Sequence, residues 1–338
     1  MNEQTCGCDE ITSMSRRGLL GRALAVGGGA ALAGLAGEGL STQLAFAAGG
    51  YSGDTLVVLS LRGGFDGLSA IAPIGDPDYY RARPTIALPQ SQVIAGDGTF
   101  GLHPALAPLL PMWKGGNLAA VHAVGQPHPT RSHFAAMEEM ENAAAGTSLR
   151  TGWLDRMLGM TGATGPLAGV SMGNALKDVA RLIKAKAGLA AAAVDCGDWD
   201  MHKGLGTAVK GQRMYDNLLE TTTALAAFAA DLGPAGMAAV TVVTVSEFGR
   251  RVAENASRGV DHGHGNAMLL MGGGVRGGKV YAAWPTLAPG ALADGDLAAT
   301  TDYRAVIGEI LQKRCGFGAL DEVFPTIAPS DFGLAAAR

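Results

Sequence analysis

Four apolar runs without polar alternation mark the chain: Thr55–Leu61 (TLVVLSL), 118–124 (LAAVHAV), 191–194 (AAAV) and 238–245 (AAVTVVTV). Such runs fit strands buried on both faces, as in a parallel sheet covered by helices. The first ends in Arg62-Gly63-Gly64-Phe65-Asp66-Gly67, a tight glycine turn, and reads as a central parallel strand. The second ends at Gly125 and leads through Pro127 and Pro129 to a helical stretch at 134–145. The third runs into Asp195-Cys196-Gly197-Asp198-Trp199-Asp200-Met201-His202. The fourth follows a helical stretch at 218–232 and ends in Ser246-Glu247-Phe248-Gly249-Arg250. Strands alternating with helices predict an α/β layered fold with a mostly parallel sheet. The Gly- and Ala-rich segment 159–193 reads as loops and short helices, and no internal repeat is found.

The N-terminal stretch has a different grammar. Ser15-Arg16-Arg17-Gly18-Leu19-Leu20 precedes an uncharged segment at 23–37, and Ala45-Phe46-Ala47 offers an A-x-A cleavage site. That order predicts a twin-arginine export leader over 1–47 and a mature domain over 48–338, placed in the periplasm or secreted. The uncharged segment is short and dominated by Ala and Gly, below the roughly 20 strongly apolar residues of a spanning helix. No stable membrane span is expected in the mature form.

Removing residues 1–47 leaves 23 basic against 26 acidic side chains, a net charge of −3. No basic stripe remains, so nucleic acid is not an expected partner. Cys196 and Cys315 are the two cysteines beyond the leader, too few for a disulfide framework; whether they pair is left open by the sequence.

Chemistry concentrates at the strand ends, where open α/β sheets keep their sites. All seven histidines (103, 122, 128, 133, 202, 262 and 264) follow the leader. Asp200-x-His202 and Asp261-His262-Gly263-His264 join carboxylates to imidazoles, and Asp66 and Glu247 each close a predicted strand. Mixed Asp/Glu/His sets suit Zn²⁺ or similar ions, so Asp66, Asp200, His202, Glu247, Asp261, His262 and His264 form the candidate ligand set. One or two divalent ions are expected, zinc first, with calcium and manganese as alternatives. Any one of these residues alone reads more readily as a loop cap or a hydrogen-bonded rim residue, and it is the agreement of four strand ends that favours the metal. Thr130-Arg131-Ser132-His133 precedes a helix. A hydroxyl there serves either as an N-cap or as a nucleophile, and Arg131 can clamp an oxyanion.

Two further matches compete. Gly169-Val170-Ser171-Met172-Gly173 fits the G-x-S-x-G elbow of serine hydrolases, with Asp200 or Glu247 and His262 in the chain order of a triad, but no firm strand precedes it. Gly273-Gly274-Val275-Arg276-Gly277-Gly278-Lys279 approaches a phosphate-binding loop, yet Val280 stands where Ser or Thr would hold Mg²⁺.

Together LRGGFDGLS, GLHPAL, TRSHFAAMEEME, TGWLDRML, DWDMH, VSEFGRRVAENASRGVDHG, GGGVRGGKVY and TTDYRAVIGEIL resemble the DUF1501 proteins. These are Tat-exported bacterial proteins grouped with the alkaline phosphatase/sulfatase superfamily. The resemblance implies an alkaline-phosphatase-like three-layer α/β/α fold, with metal ligands and a hydroxyl nucleophile at strand ends. Asp66 looks like the acid after the first strand, Asp200 with His202 like the later Asp/His pair, and His262 like the final histidine. Glu247 falls where the superfamily has Asp in Asp-His-Gly, and Phe248 replaces that histidine. Pro127-His128-Pro129-Thr130-Arg131 lacks the cysteine of the sulfatase signature, which argues against a formylglycine enzyme. The stretch between TGWLDRML and DWDMH is short for the family.

The expected activity is metal-dependent hydrolysis of a phosphate or sulfate ester, small or polymeric, with Ser132 or Thr130 attacking beside Arg131 and His133. The Tat translocase is the expected partner during export. Two alternatives stand: a non-catalytic metal- or partner-binding protein of the same fold, and a serine esterase using Ser171.

Overall fold

A computed structural model describes residues 42–47, 51–161, 166–168 and 172–338. Strands β1 (Thr42–Phe46), β2 (Thr55–Leu61), β5 (Leu118–Gly125), β6 (Pro166–Ala168), β7 (Leu189–Cys196), β8 (Val240–Val245), β9 (Asn266–Gly272), β10 (Val280–Tyr281) and β11 (Thr301–Asp302) form one sheet. Its order is β10-β5-β9-β8-β2-β7-β1-β6, with β11 also on β5. The two-residue strands β3 (Ile71–Ala72) and β4 (Gly101–Leu102) pair separately.

The run at Thr55–Leu61 is the central parallel strand, buried at every position and paired in parallel with both β7 and β8. Its side chains alternate between two cores. Val57, Leu59 and Leu61 face helices α3 (Met172–Lys184) and α4 (Arg213–Met237) through Ala175, Val179, Leu218, Leu225 and Phe228. Leu56 and Val58 face α1 (His133–Asn142), α2 (Trp153–Met160) and α5 (Tyr303–Arg314) through Met140, Trp153, Met157, Val306 and Ile310. Helices on both faces explain why the strand needs no polar alternation.

The sheet is mixed, with most strands running the same way as expected and two running against them. Parallel pairing covers β7-β2-β8 and the contacts of β10 and β11 with β5, whereas β9 runs antiparallel to β8 and β5, and β1 antiparallel to β7 and β6. Because β9 reverses direction between β8 and β5, strands β5, β8, β2 and β7 all point the same way. Their carboxyl ends share one edge with the start of β9, and the candidate residues follow those ends.

Segment 159–193 contains more regular structure than loops and short helices: a 13-residue helix, α3, and the first five residues of strand β7. Thr42–Phe46, within the expected leader, is strand β1, with Ala47 N–H donating to Gly188 O at 3.0 Å. The rest of that leader (1–41) and Ser171 lie outside the described residues. Cys196 and Cys315 are both free and buried. Among the described residues no helix is long and apolar enough to cross a membrane.

Candidate metal centre

Three loops meet at the carboxyl edge. After β7, Trp199 is buried and sets its ring edge-on to Phe65, 4.9 Å between centroids, while Trp199 N–H donates to Arg62 O at 3.2 Å. This presses the β7 loop onto Gly63, whose φ is +113° and where a Cβ would lie 2.6 Å from Asp200 N. Only glycine permits that approach. Ser132 is the N-cap position of α1, which places His133 in its first turn facing the same edge.

His133, Asp200 and His262 bring one ligand atom each within 4.8 Å of one another. His202 adjoins them: its Nε2 lies 3.0 Å from Asp200 Oδ1 and 3.0 Å from His262 Nε2. Asp200 Oδ1 is also 3.5 Å from His262 Nε2, and Oδ2 is 3.9 Å from His133 Nε2.

The outer partners fix the tautomers. His133 Nδ1 meets Glu247 Oε1 at 2.9 Å, His202 Nδ1 meets Asp261 Oδ1 at 2.8 Å, and His262 Nδ1 meets Arg131 O at 2.8 Å. Carboxylates and a carbonyl only accept, so each Nδ1 carries the proton and each Nε2 is turned inward as a potential ligand. His133 Nε2 is buried without a hydrogen-bond partner. Two inward lone pairs 3.0 Å apart, on His202 and His262, repel unless a cation or a proton sits between them.

Charges follow this geometry. Burial raises the Asp200 pKa, but the close contacts with His202 and His262 and the Arg250 hydrogen bond outweigh it and hold the carboxyl well below its usual range. The Asp200 contact raises the His202 pKa, with Asp261 adding to it against burial. Glu247 is nearly fully buried, and the His133 bond overcomes the cost of that burial to lower its pKa. Its Oε1 also accepts from Gly63 N–H at 2.7 Å. Gln126 Nε2 donates to Ala136 O and Glu247 O, both at 2.7 Å, tying α1 to the end of β8.

The structure thus draws Asp200, His202 and His262 together and adds His133, which the sequence pointed to as a catalytic residue. Glu247 and Asp261 stand behind the imidazoles. Asp66 is elsewhere: it is buried, with Arg83 Nη1 at 2.6 Å and Nη2 at 2.9 Å on its two oxygens and Ser69 Oγ at 2.5 Å. His264 Nε2 contacts Gln126 O at 2.8 Å instead of the cluster. Phe248 is buried with its ring 4.9 Å from His133 and 4.7 Å from His262, so it walls the site with carbon. Arg131 contributes its carbonyl; its guanidinium is held by Asp296 at 2.7 Å and Asp294 at 2.9 Å. Ser132 is exposed and its side chain makes no cap bond, while Thr130 Oγ1 accepts from Ser132 N–H at 3.3 Å.

Arg250 is the residue the sequence reading passed over. It is buried beside Asp200, with Nη2 2.7 Å from Asp200 Oδ1. Its signal was a basic side chain three residues past a strand-end acid, which reads by itself as surface.

Residues 174–309 match the family described as "Protein of unknown function (DUF1501)". No curated protein and no solved structure matches the chain.

Proposed function

We propose that this chain, whose residues 174–309 match the DUF1501 family model, is an exported metal-dependent hydrolase of a phosphate or sulfate ester with an alkaline-phosphatase-like fold. The carrying observation is the inward Nε2 of His133, buried and unpartnered opposite Asp200. A proton on His202 can satisfy the His202–His262–Asp200 contacts, but it leaves His133 Nε2 bare. A divalent ion answers both, and a nitrogen-rich donor set with one carboxylate suits zinc first.

His133, Asp200 and His262 would hold the ion, with His202 as a fourth donor. When bound, such an ion supplies Lewis acidity to a phosphoryl or sulfuryl oxygen. Glu247, Asp261 and the Arg131 carbonyl keep the three imidazoles in the ligating tautomer. Ser132, exposed and next to His133, is the proposed nucleophile, with Thr130 in reserve. Arg131 grips the substrate in this reading only by leaving Asp294 and Asp296. The leader reading belongs to the same proposal: Arg16 and Arg17 replaced by Lys should strand precursor in the cytoplasm, and an unchanged periplasmic yield would contradict it.

A second reading, a metal-binding protein without turnover, is favoured by the committed Arg131 and by His202 filling a fourth donor position, since closed four-ligand zinc sites are structural. Zinc- or manganese-loaded protein should be assayed on aryl phosphates and sulfates with Ser132→Ala, Thr130→Ala and Ser171→Ala alongside. Turnover lost in Ser132→Ala with metal retained supports hydrolysis. Bound metal without turnover favours the second reading, and loss in Ser171→Ala alone overturns both for a serine esterase.

A further inference from the structure

Arg250 joins three of the segments that build the centre. Its Nε donates to Gly64 O at 2.6 Å and Nη1 to Val260 O at 3.0 Å. Its Nη2 reaches Gly63 O, Trp199 O at 3.1 Å and Asp200 Oδ1 at 2.7 Å. One buried fork therefore fastens the turn after β2, the loop after β7 that carries Asp200, and the segment leading into Asp261 and His262.

The same fork changes the charge that a cation would meet. Among the described residues that face the inward nitrogens, Asp200 is the only anion, and the guanidinium compensates it at hydrogen-bond distance. Glu247 and Asp261 act from behind, through the Nδ1 atoms of His133 and His202. Hard ions such as Ca²⁺ and Mg²⁺ draw their affinity from several oxygens and from uncompensated carboxylate charge. Imidazole nitrogens retain zinc, cobalt and similar ions through their donor softness.

We propose that Arg250 is a positioning residue that makes this centre select nitrogen-preferring transition ions over calcium and magnesium, by offsetting the charge of Asp200 while fixing where its carboxylate stands. The inference rests on the metal reading above and adds its selectivity.

The test uses the full chain, with Co²⁺ binding followed by visible absorption and Ca²⁺ as competitor. In the wild type a large excess of Ca²⁺ leaves the Co²⁺ spectrum intact. Arg250→Gln weakens Co²⁺ by about 10-fold or more, in the range of outer-shell losses, and moves the Ca²⁺/Co²⁺ preference toward Ca²⁺ by at least a similar factor. Arg250→Lys keeps the charge but loses the fork, so it weakens Co²⁺ while still excluding Ca²⁺. A folded Arg250→Gln protein with an unchanged preference ratio overturns the inference. So does a wild type whose Co²⁺ is displaced by Ca²⁺, a result independent of whether the variants fold. A wild type that binds neither ion removes the metal reading itself, which separates the two failures.

Discussion

Replacing Glu247 by Gln preserves the shape behind His133 and deletes the charge. Glu247 Oε1 accepts from His133 Nδ1 at 2.9 Å and from Gly63 N–H at 2.7 Å, on a residue with 1% of its surface exposed. Gln can accept both bonds, so the fold should survive. It stabilises the inward lone pair of His133 less, and outer-shell losses of this kind weaken metal binding by about 10–100-fold. That equals about 1.4–2.7 kcal/mol. At a free zinc concentration about 1,000 times the wild-type Kd, bound metal adds about 4.1 kcal/mol of stability. The variant at the same concentration should gain only about 2.7 to 1.4 kcal/mol. With about 2–4 °C of Tm per kcal/mol for a large domain, the zinc-induced shift should shrink by roughly 3–11 °C. Calorimetry with and without zinc, together with chelator competition for Kd, measures both quantities. An unchanged zinc shift in Glu247→Gln, beside its loss in His133→Ala, would refute the claim that Glu247 acts through His133.

Other consequences follow from the packing. His122 is fully buried, its Nε2 3.0 Å from Ile71 O, and burial pushes its pKa down to about 4. The unfolded chain takes up that proton near pH 6.5, so stability present above that pH should be lost as pH falls toward 4. In His122→Gln, urea unfolding across this window should show a pH dependence smaller by up to about 3 kcal/mol, and an identical slope would count against the assignment. Asp66→Asn breaks the buried pair with Arg83 and should cost about 3–5 kcal/mol, yet leave metal per folded chain unchanged; metal loss from the folded variant would return Asp66 to the ligand set. Ser132→Ala removes a hydroxyl without a cap bond, so denaturant midpoints should imply a change within about 0.5 kcal/mol. A larger loss would show a structural role that the geometry lacks.

The central strands were legible because burial on both faces leaves an unbroken apolar run, as at Thr55–Leu61. Other strands were not. The apolar run of β9, Asn266–Gly272, has no period of its own, and only its pairing with β5 and β8 makes it a strand that reverses the sheet. The apolar run at 191–194 marked only the middle of β7, whose flanking residues carry no strand signal, and β1 lies in a stretch whose composition reads as a leader. The strand-end acids and histidines gave the neighbourhood of the centre, since Asp200, His202 and His262 sit in tight motifs. Their division into inner and outer groups depends on contacts far apart in sequence, such as His133 with Glu247 and Asp66 with Arg83. Asp66 and Glu247 both close strands, and only their partners tell them apart.

The most direct test of the account is the metal stoichiometry of the full chain after chelator treatment and reloading with Zn²⁺ or Co²⁺, read by elemental analysis and by the visible spectrum of the Co²⁺ form. The account predicts one tightly held ion per chain with nitrogen-rich coordination, lost in His133→Ala and in His262→Ala. Folded wild-type protein that returns from reloading without a bound ion, or that binds one equally well without His133 and His262, would contradict it.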